Sequence, residues 1–287
     1  MPFGFGRAEW RDMEANKISL AGDLGSGKST VADILIQRLG AEYYSTGVIC
    51  RNFAAERGLS VVEMNQYMET HPEFDKYIDD GLVALSDEEK ALVIDSRMAW
   101  HFVKGTFKVY MTTELAESAK RILRAKRSTE QAQTIEECAA NIKARKSSEN
   151  KRYFEKYGVV CKDLSNYSLV VDSTYASPED VAACILSCFA DWQEDQSRRY
   201  AYICPRRFLY SDDEADMAKA AKLSAMLDEG LDIGRVTAVE YDGDIYVTEN
   251  AEIALAYELS LSPLVPTLLT VAEEKPKGTF VSMVDSL

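Results

Sequence analysis

The sequence predicts an α/β protein, a mainly parallel sheet flanked by helices, with a second, smaller α+β domain after it. Three observations carry this expectation. Short apolar strands alternate with amphipathic helical stretches from Lys17 to about residue 190, the pattern of a parallel sheet covered on both faces. A glycine-rich loop, Gly22-Asp-Leu-Gly-Ser-Gly-Lys-Ser29, separates the first strand from the first helix. Composition then shifts at the polar stretch 191–197, and the roughly ninety residues beyond it are a domain-sized length.

The loop has the spacing G-x-x-x-x-G-K-S of a phosphate cradle. Glycines at 22, 25 and 27 allow consecutive backbone N–H groups to turn inward, where a Cβ would obstruct them. Ile18-Ser-Leu-Ala21 before it reads as a strand, and Val31, Ile34, Leu35 and Leu39 after it recur at helical spacing until Gly40. The helix adds its own unsatisfied N-terminal donors and positive dipole end. Gly22, Gly25, Ser26, Gly27, Lys28, Ser29 and Thr30 are therefore candidate nucleotide-binding residues. Lys28 can reach the β- and γ-phosphates, and the Ser29 hydroxyl suits Mg²⁺. ATP and Mg²⁺ are the cofactors expected.

Further strands are expected at Glu42–Ser45, Ala91–Asp95, Phe107–Met111 and Ser168–Asp172. Helical stretches follow Thr46, fill 60–85 with a break at Pro72, and open at Ser177-Pro178, an N-cap with proline in the first helical position. Ligands of such sheets sit at the C-terminal strand ends. Asp95, Arg97 and Arg51 should therefore meet the phosphate loop in one crevice. In the second domain, strands are expected at Tyr200–Cys204 and Thr267–Val271, helices at Glu214–Leu227 and Ala251–Leu261, and a hairpin across Val236–Thr248 with Asp242-Gly243 at its turn. Residues 1–16 read as a loosely held extension and the tail after Glu273 as frayed. The expected domains are 17–192 and 198–275.

The 287 residues carry a net charge of −14, which argues against a nucleic-acid partner. Ala116–Arg152 runs the other way, with ten Lys and Arg against five acids, an excess that suits an anionic ligand or a solvated helical face. No apolar run approaches the roughly 20 residues that cross a bilayer. The six cysteines show no metal-type pairing, and Cys184 and Cys188, one helical turn apart, suit a buried face and a cytoplasmic protein with reduced thiols.

Residues 17–190 resemble the nucleoside monophosphate kinase group of P-loop proteins, and within it cytidylate kinases of the compact, archaeal type. Tyr44-Ser-Thr-Gly47 followed by Arg51 resembles the segment that holds the acceptor nucleotide, and Val93-Ile-Asp95-Ser-Arg97 the acid-x-Arg motif at a strand end. Arg145-Lys-Ser-Ser-Glu149-Asn-Lys-Arg152-Tyr, then Tyr157-Gly-Val and Asp163-Leu-Ser-Asn-Tyr167, resemble the lid and its exit. The resemblance implies an ATP-dependent transfer to CMP, dCMP or a related monophosphate. It implies Ser45, Gly47, Arg51 and Arg97 as acceptor-binding residues, Arg51 and Arg97 clamping its phosphate. Lys28, Asp95, Arg97, Arg145 and Arg152 become the catalytic candidates, and Ser29 with Asp95 the metal candidates. Arg121, Arg124 and Arg127 are lid residues or solvated surface. Val48 stands where these kinases often carry an acid, and Ser96 replaces their usual glycine; both leave the acceptor base open. A kinase of another small metabolite, or a nucleotide-sensing module, stays a competing reading.

The second domain resembles the ParB/sulfiredoxin group in its order of elements. Where that group carries a Gly-x-His-Arg turn this chain has Thr248-Glu-Asn-Ala-Glu252. It is expected to be a non-catalytic appendage, a partner, oligomer or effector module or a stabilising extension, so that a chain ending near Trp192 should still fold.

Overall fold

The computed structural model describes residues 16–59, 61–125, 134–211 and 216–282. The extension expected at 1–16 lies almost entirely outside them, as does Arg127. The chain forms two compact units. One holds the N-terminal part as far as Tyr110 together with Leu115–Tyr167, and the other holds Met111–Glu114 and Ser168–Leu287.

The first unit begins with β1 (Lys17–Gly22), α1 (Lys28–Leu39), β2 (Glu42–Ser45) and α2 (Thr46–Arg57). Then come α3 (Val61–Thr70), α4 (Pro72–Ala84), β3 (Leu92–Asp95), the single turn α5 (Ala99–Phe102) and β4 (Thr106–Thr112), whose last two residues count with the other unit. The basic region forms α6 (Leu115–Arg124) and the long α7 (Ile135–Tyr157). Strand order is β4-β1-β3-β2. β1 and β2 both run parallel to β3, with Leu20 and Ser45 in register with Asp95. Three strand ends thereby stop side by side. Ile18, Leu20, Val93 and Ile94 are wholly buried, as expected for strands covered on both faces. α7 starts with a capping box, Thr134 and Glu137 each accepting the other's backbone N–H, which fixes where the helix begins.

The second unit contains β5 (Leu169–Asp172), α8 (Pro178–Glu194), β6 (Tyr200–Ile203), β7 (Phe208–Ser211) and α9 (Met217–Asp228). It continues through β8 (Val236–Tyr241), β9 (Asp244–Glu249), α10 (Ala251–Leu259), β10 (Val265–Val271) and β11 (Phe280–Ser282). Its strands lie in the order β11-β7-β9-β8-β10-β6-β5. α8 buries Val181, Cys184, Ile185, Cys188, Phe189 and Trp192, and all six cysteines are free. The β8–β9 turn places Asp242 at φ 49° and Gly243 at φ 94°, the two left-handed residues of a tight hairpin.

Two features of this unit differ from the sequence reading. The tail expected to be frayed returns as β11, pairing antiparallel with β7, a strand hidden behind Pro205-Arg-Arg. Beyond the polar stretch 191–197, β6 pairs in parallel with β5. The Asp172 carboxylate at the end of β5 accepts from the Cys204 amide at 3.2 Å and from Arg207 Nη1 at 3.3 Å. Arg207 also donates to Thr174 Oγ1 and to the Gly243 carbonyl. The residues after 192 are built onto β5 by backbone pairing and a buried ion pair, not strung from it.

Candidate active site

β1 delivers the chain into the loop with Gly22, Gly25 and Gly27 at φ 147°, 75° and 82°, conformations that side chains rarely adopt. At Gly25 there is a second constraint: a Cβ there would lie 2.9 Å from the Ser118 carbonyl oxygen. The Ser118 hydroxyl in turn donates to the Leu24 carbonyl, so α6 supports the loop from outside. Gly27 ends the loop, and the first turn of α1 holds no acidic residue, which leaves its N-terminal donors suited to an anion. Ser26 is buried, while Ser29 and Thr30 are exposed in that first turn.

Lys28 Nζ donates to the Gly22 carbonyl at 3.1 Å, the Asp23 carbonyl at 2.7 Å and Ser26 Oγ at 3.2 Å. Burial pushes its ammonium down to about 8; Arg97 acts in the same direction, against the carboxylates of Asp95 and Asp23. The phosphate loop and the end of β3 are thus within electrostatic reach of one another, a consequence of the parallel β1–β3 register.

Asp95 is half-buried where β3 ends, and the Tyr43 hydroxyl of β2 donates to its Oδ2 at 3.0 Å. Ser96 accepts from the Met98 amide through its hydroxyl, so the residue that replaces the usual glycine closes the turn towards α5. Arg97 is ion-paired to Glu149 of α7, and Arg145 Nε donates to the same carboxylate oxygen at 2.9 Å. Burial alone would raise the Glu149 carboxyl; the Arg97 and Arg145 guanidiniums outweigh it and hold it below the usual range. Arg152 stacks over the Tyr153 ring at 5.2 Å, and Tyr153 also interacts with Arg97. Further along α7, Lys156 pairs with Asp75 at 2.9 Å and the Tyr157 hydroxyl donates to Asp79 at 2.7 Å, fastening the helix to α4.

On the other side of β3, Ser45 caps α2 by accepting from the Val48 amide. A Cβ on Gly47 would press on Arg51 Nη1 at 3.4 Å, so Gly47 leaves room for that guanidinium. Arg51 is exposed, as is Val48 at 38%. Charge from Arg51, Arg97 and Arg152 all acts on the Cys50 thiol, although burial is the larger influence and raises it. Arg121 pairs with Glu117 of its own helix and Arg124 is exposed.

Two members of this arrangement escaped the sequence reading. Tyr43 orients Asp95, a pairing visible only once β2 lies beside β3. Glu149 bridges Arg97 and Arg145; it stands inside the lid-like motif, but only the four-residue spacing from Arg145 hints at that pairing.

Oxygen donors suit Mg²⁺, which keeps several waters and takes one or two carboxylates plus substrate phosphates. Asp95 and the Ser29 hydroxyl fit that pattern. Among the described residues, no cluster of three or more His, Cys, Asp or Glu could hold an ion, and no helix is long and apolar enough to cross a membrane.

A glycine cradle with its lysine, an acid and arginine at the neighbouring strand end, and an arginine-bearing helix define a P-loop phosphotransferase. Residues 18–142 match the family described as AAA domain. A cytidylate kinase of Thermoplasma volcanium is 34% identical over 191 residues, covering 65% of this chain and 95% of the relative. One of Methanothermobacter thermautotrophicus is 34% identical over 156 residues, 54% and 94% of the two chains. Among solved structures, shikimate kinase from Acinetobacter baumannii is similar with a TM-score of 0.45 and 18% identity, over 65% of this chain and 98% of that one. The chain belongs to the cytidylate kinase family.

Proposed function

We propose that this nucleoside monophosphate kinase moves the γ-phosphate of ATP to CMP or dCMP. The observation that carries the reading is the position of Arg97, which acts on Lys28 on one side and pairs with α7 on the other. A phosphate gripped there would stand between the donor cradle and the lid helix. The transition state of such a transfer is loose, so catalysis rests on alignment and charge rather than on a protein nucleophile. Lys28 would hold the transferring phosphoryl group, and Arg51 and Arg97 would grip the acceptor phosphate in forked fashion. Arg145 and Arg152 would add positive charge from α7 and exclude water. Mg²⁺, when bound by Ser29 and Asp95, neutralises charge on the β- and γ-phosphates; Tyr43 fixes the Asp95 carboxylate for that task. We read the catalytic residues of a cytoplasmic enzyme as lying within 17–192, and 198–275, although built onto β5, as supplying no catalytic group but a surface for a partner, a second copy or an effector.

Val48 favours a second reading. An exposed apolar residue at the start of α2, where an acid is usual, would suit a different small acceptor. Steady-state ADP formation with each nucleoside monophosphate and with small phosphorylated or hydroxylated metabolites separates the two. CMP and dCMP should give the highest kcat/KM. A metabolite that outruns every nucleotide would establish the second reading, and turnover with none would leave a nucleotide sensor.

A further inference from the structure

The phosphate loop of this chain carries a carboxylate of its own. Asp23 follows the first glycine of the cradle, and its side chain is only 13% exposed. Its backbone carbonyl belongs to the cradle, accepting from Lys28 Nζ at 2.7 Å and from the Ser26 amide at 3.3 Å. The carboxylate is fixed as well: the buried Tyr110 hydroxyl donates to Oδ1 at 2.9 Å. A negative charge held this firmly in an anion-binding loop repels the ligand the loop is shaped for.

The same oxygen has a second neighbour. Lys146 Nζ of α7 lies 3.6 Å from Asp23 Oδ1. Lys146, Glu149 and Tyr153 are spaced three and four apart and so share one stripe of α7. Glu149 and Tyr153 use that stripe on Arg97, and Lys146 carries it on to the phosphate loop.

We infer that Lys146 is a positioning residue for the donor nucleotide, cancelling the charge of Asp23 beside the phosphate loop. The inference rests on the reading of 22–30 as the triphosphate site. It distinguishes Lys146 from the neighbouring arginines, whose assigned partner is the transferring or accepting phosphate. Lys146 matters because Asp23 is charged; neutralise Asp23, and Lys146 becomes dispensable for nucleotide affinity.

The test is a double-mutant cycle on the full chain, read by equilibrium binding of a fluorescent ATP analogue with Mg²⁺. At low salt, Lys146→Ala should weaken binding by about tenfold, a loss that shrinks at high ionic strength. Asp23→Asn retains an acceptor for Tyr110 and, at about pH 6.5 where Lys28 stays protonated without the Asp23 charge, should bind at least as tightly as the wild type. Adding Lys146→Ala to Asp23→Asn should then cost less than about twofold, and Lys146→Arg should restore the wild-type value. A structural role for Lys146 would give the same loss in both backgrounds. Equal loss in both, or none in either, overturns the inference while leaving the nucleotide site intact. A wild-type protein that binds no ATP analogue overturns the site itself and the inference with it.

Discussion

Arg97, two residues past Asp95 at the end of β3, is ion-paired to Glu149 in the middle of α7. The pair joins the strand end to the helix that bears Arg145 and Arg152, so a change at Arg97 should be felt both at the proposed acceptor site and along α7. Arg97→Lys keeps the charge and loses the planar fork. The acceptor kcat/KM should fall by about a hundredfold, some 2.7 kcal/mol, while the Kd for ATP moves less than about threefold. Kinetics varied in each substrate, with direct ATP binding, measure it. An equal loss of ATP binding would move Arg97 to the donor side.

Lys28→Ala should lower turnover by on the order of 10²-fold, the loss typical of one electrostatic stabiliser. It should not lower Tm. The depressed Lys28 ammonium shows that burial opposes its charge, so removing it relieves a cost. A variant that is inactive because it is unfolded would contradict this, as would near wild-type turnover.

The same ammonium sets a pH dependence. Lys28 protonates with a value near 8 in the folded chain, against 10.5 ordinarily, and the phosphates need the protonated form. The Kd for ATP should be flat below pH 8 and rise by up to about tenfold per unit above it. Stability runs the other way. Between about 8 and 10.5 the unfolded chain binds more protons at this site, so the Lys28 contribution grows with pH and is lost as pH falls through 8. Loss of affinity above pH 8 with no matching loss of fold is the expected pattern, read by titration and thermal melting together. A Kd unchanged to pH 9.5 would place Lys28 away from the phosphates.

Asp172 and Arg207 test how the second unit holds together. Asp172 is 0% exposed and Arg207 nearly so, and breaking a buried pair strands a charge at a cost of about 3–5 kcal/mol. Arg207→Met should therefore destabilise strongly in urea, and Asp172→Asn in the same chain should recover a large part. A chain ending near Trp192 loses both β6 and Arg207 and should be poorly soluble, against the expectation from its polar linker. A soluble, cooperatively folding truncation would show that β5 needs neither.

What the sequence revealed depended on whether the signal was local. The cradle was legible because Gly22, Gly25 and Gly27 answer a backbone requirement that only glycine meets cheaply. Asp95 and Arg97 were legible from their place where an apolar strand ends, and Arg145 and Arg152 from the resemblance of Arg145–Tyr153 to the kinase lid. Tyr43 was not, because its partner depends on which strand lies beside β3. Asp23 and Lys146 meet only when α7 packs on the loop, and neither residue is unusual by itself. β11 left no trace, since three residues after a Lys, Pro and Gly run show no periodicity; pairing with β7 makes them a strand. The polar stretch 191–197 looked like a boundary, yet backbone pairing between β5 and β6 ignores the composition of the loop that joins them.

Transfer of a phosphoryl group from the phosphate loop, past Arg97, to a nucleoside monophosphate is read by following the γ-label of ATP with CMP present. The label should appear in CDP in step with ADP, and Lys28→Ala should reduce both together. ATP that is bound or hydrolysed to free phosphate, with no label reaching CMP or any other monophosphate, would contradict it.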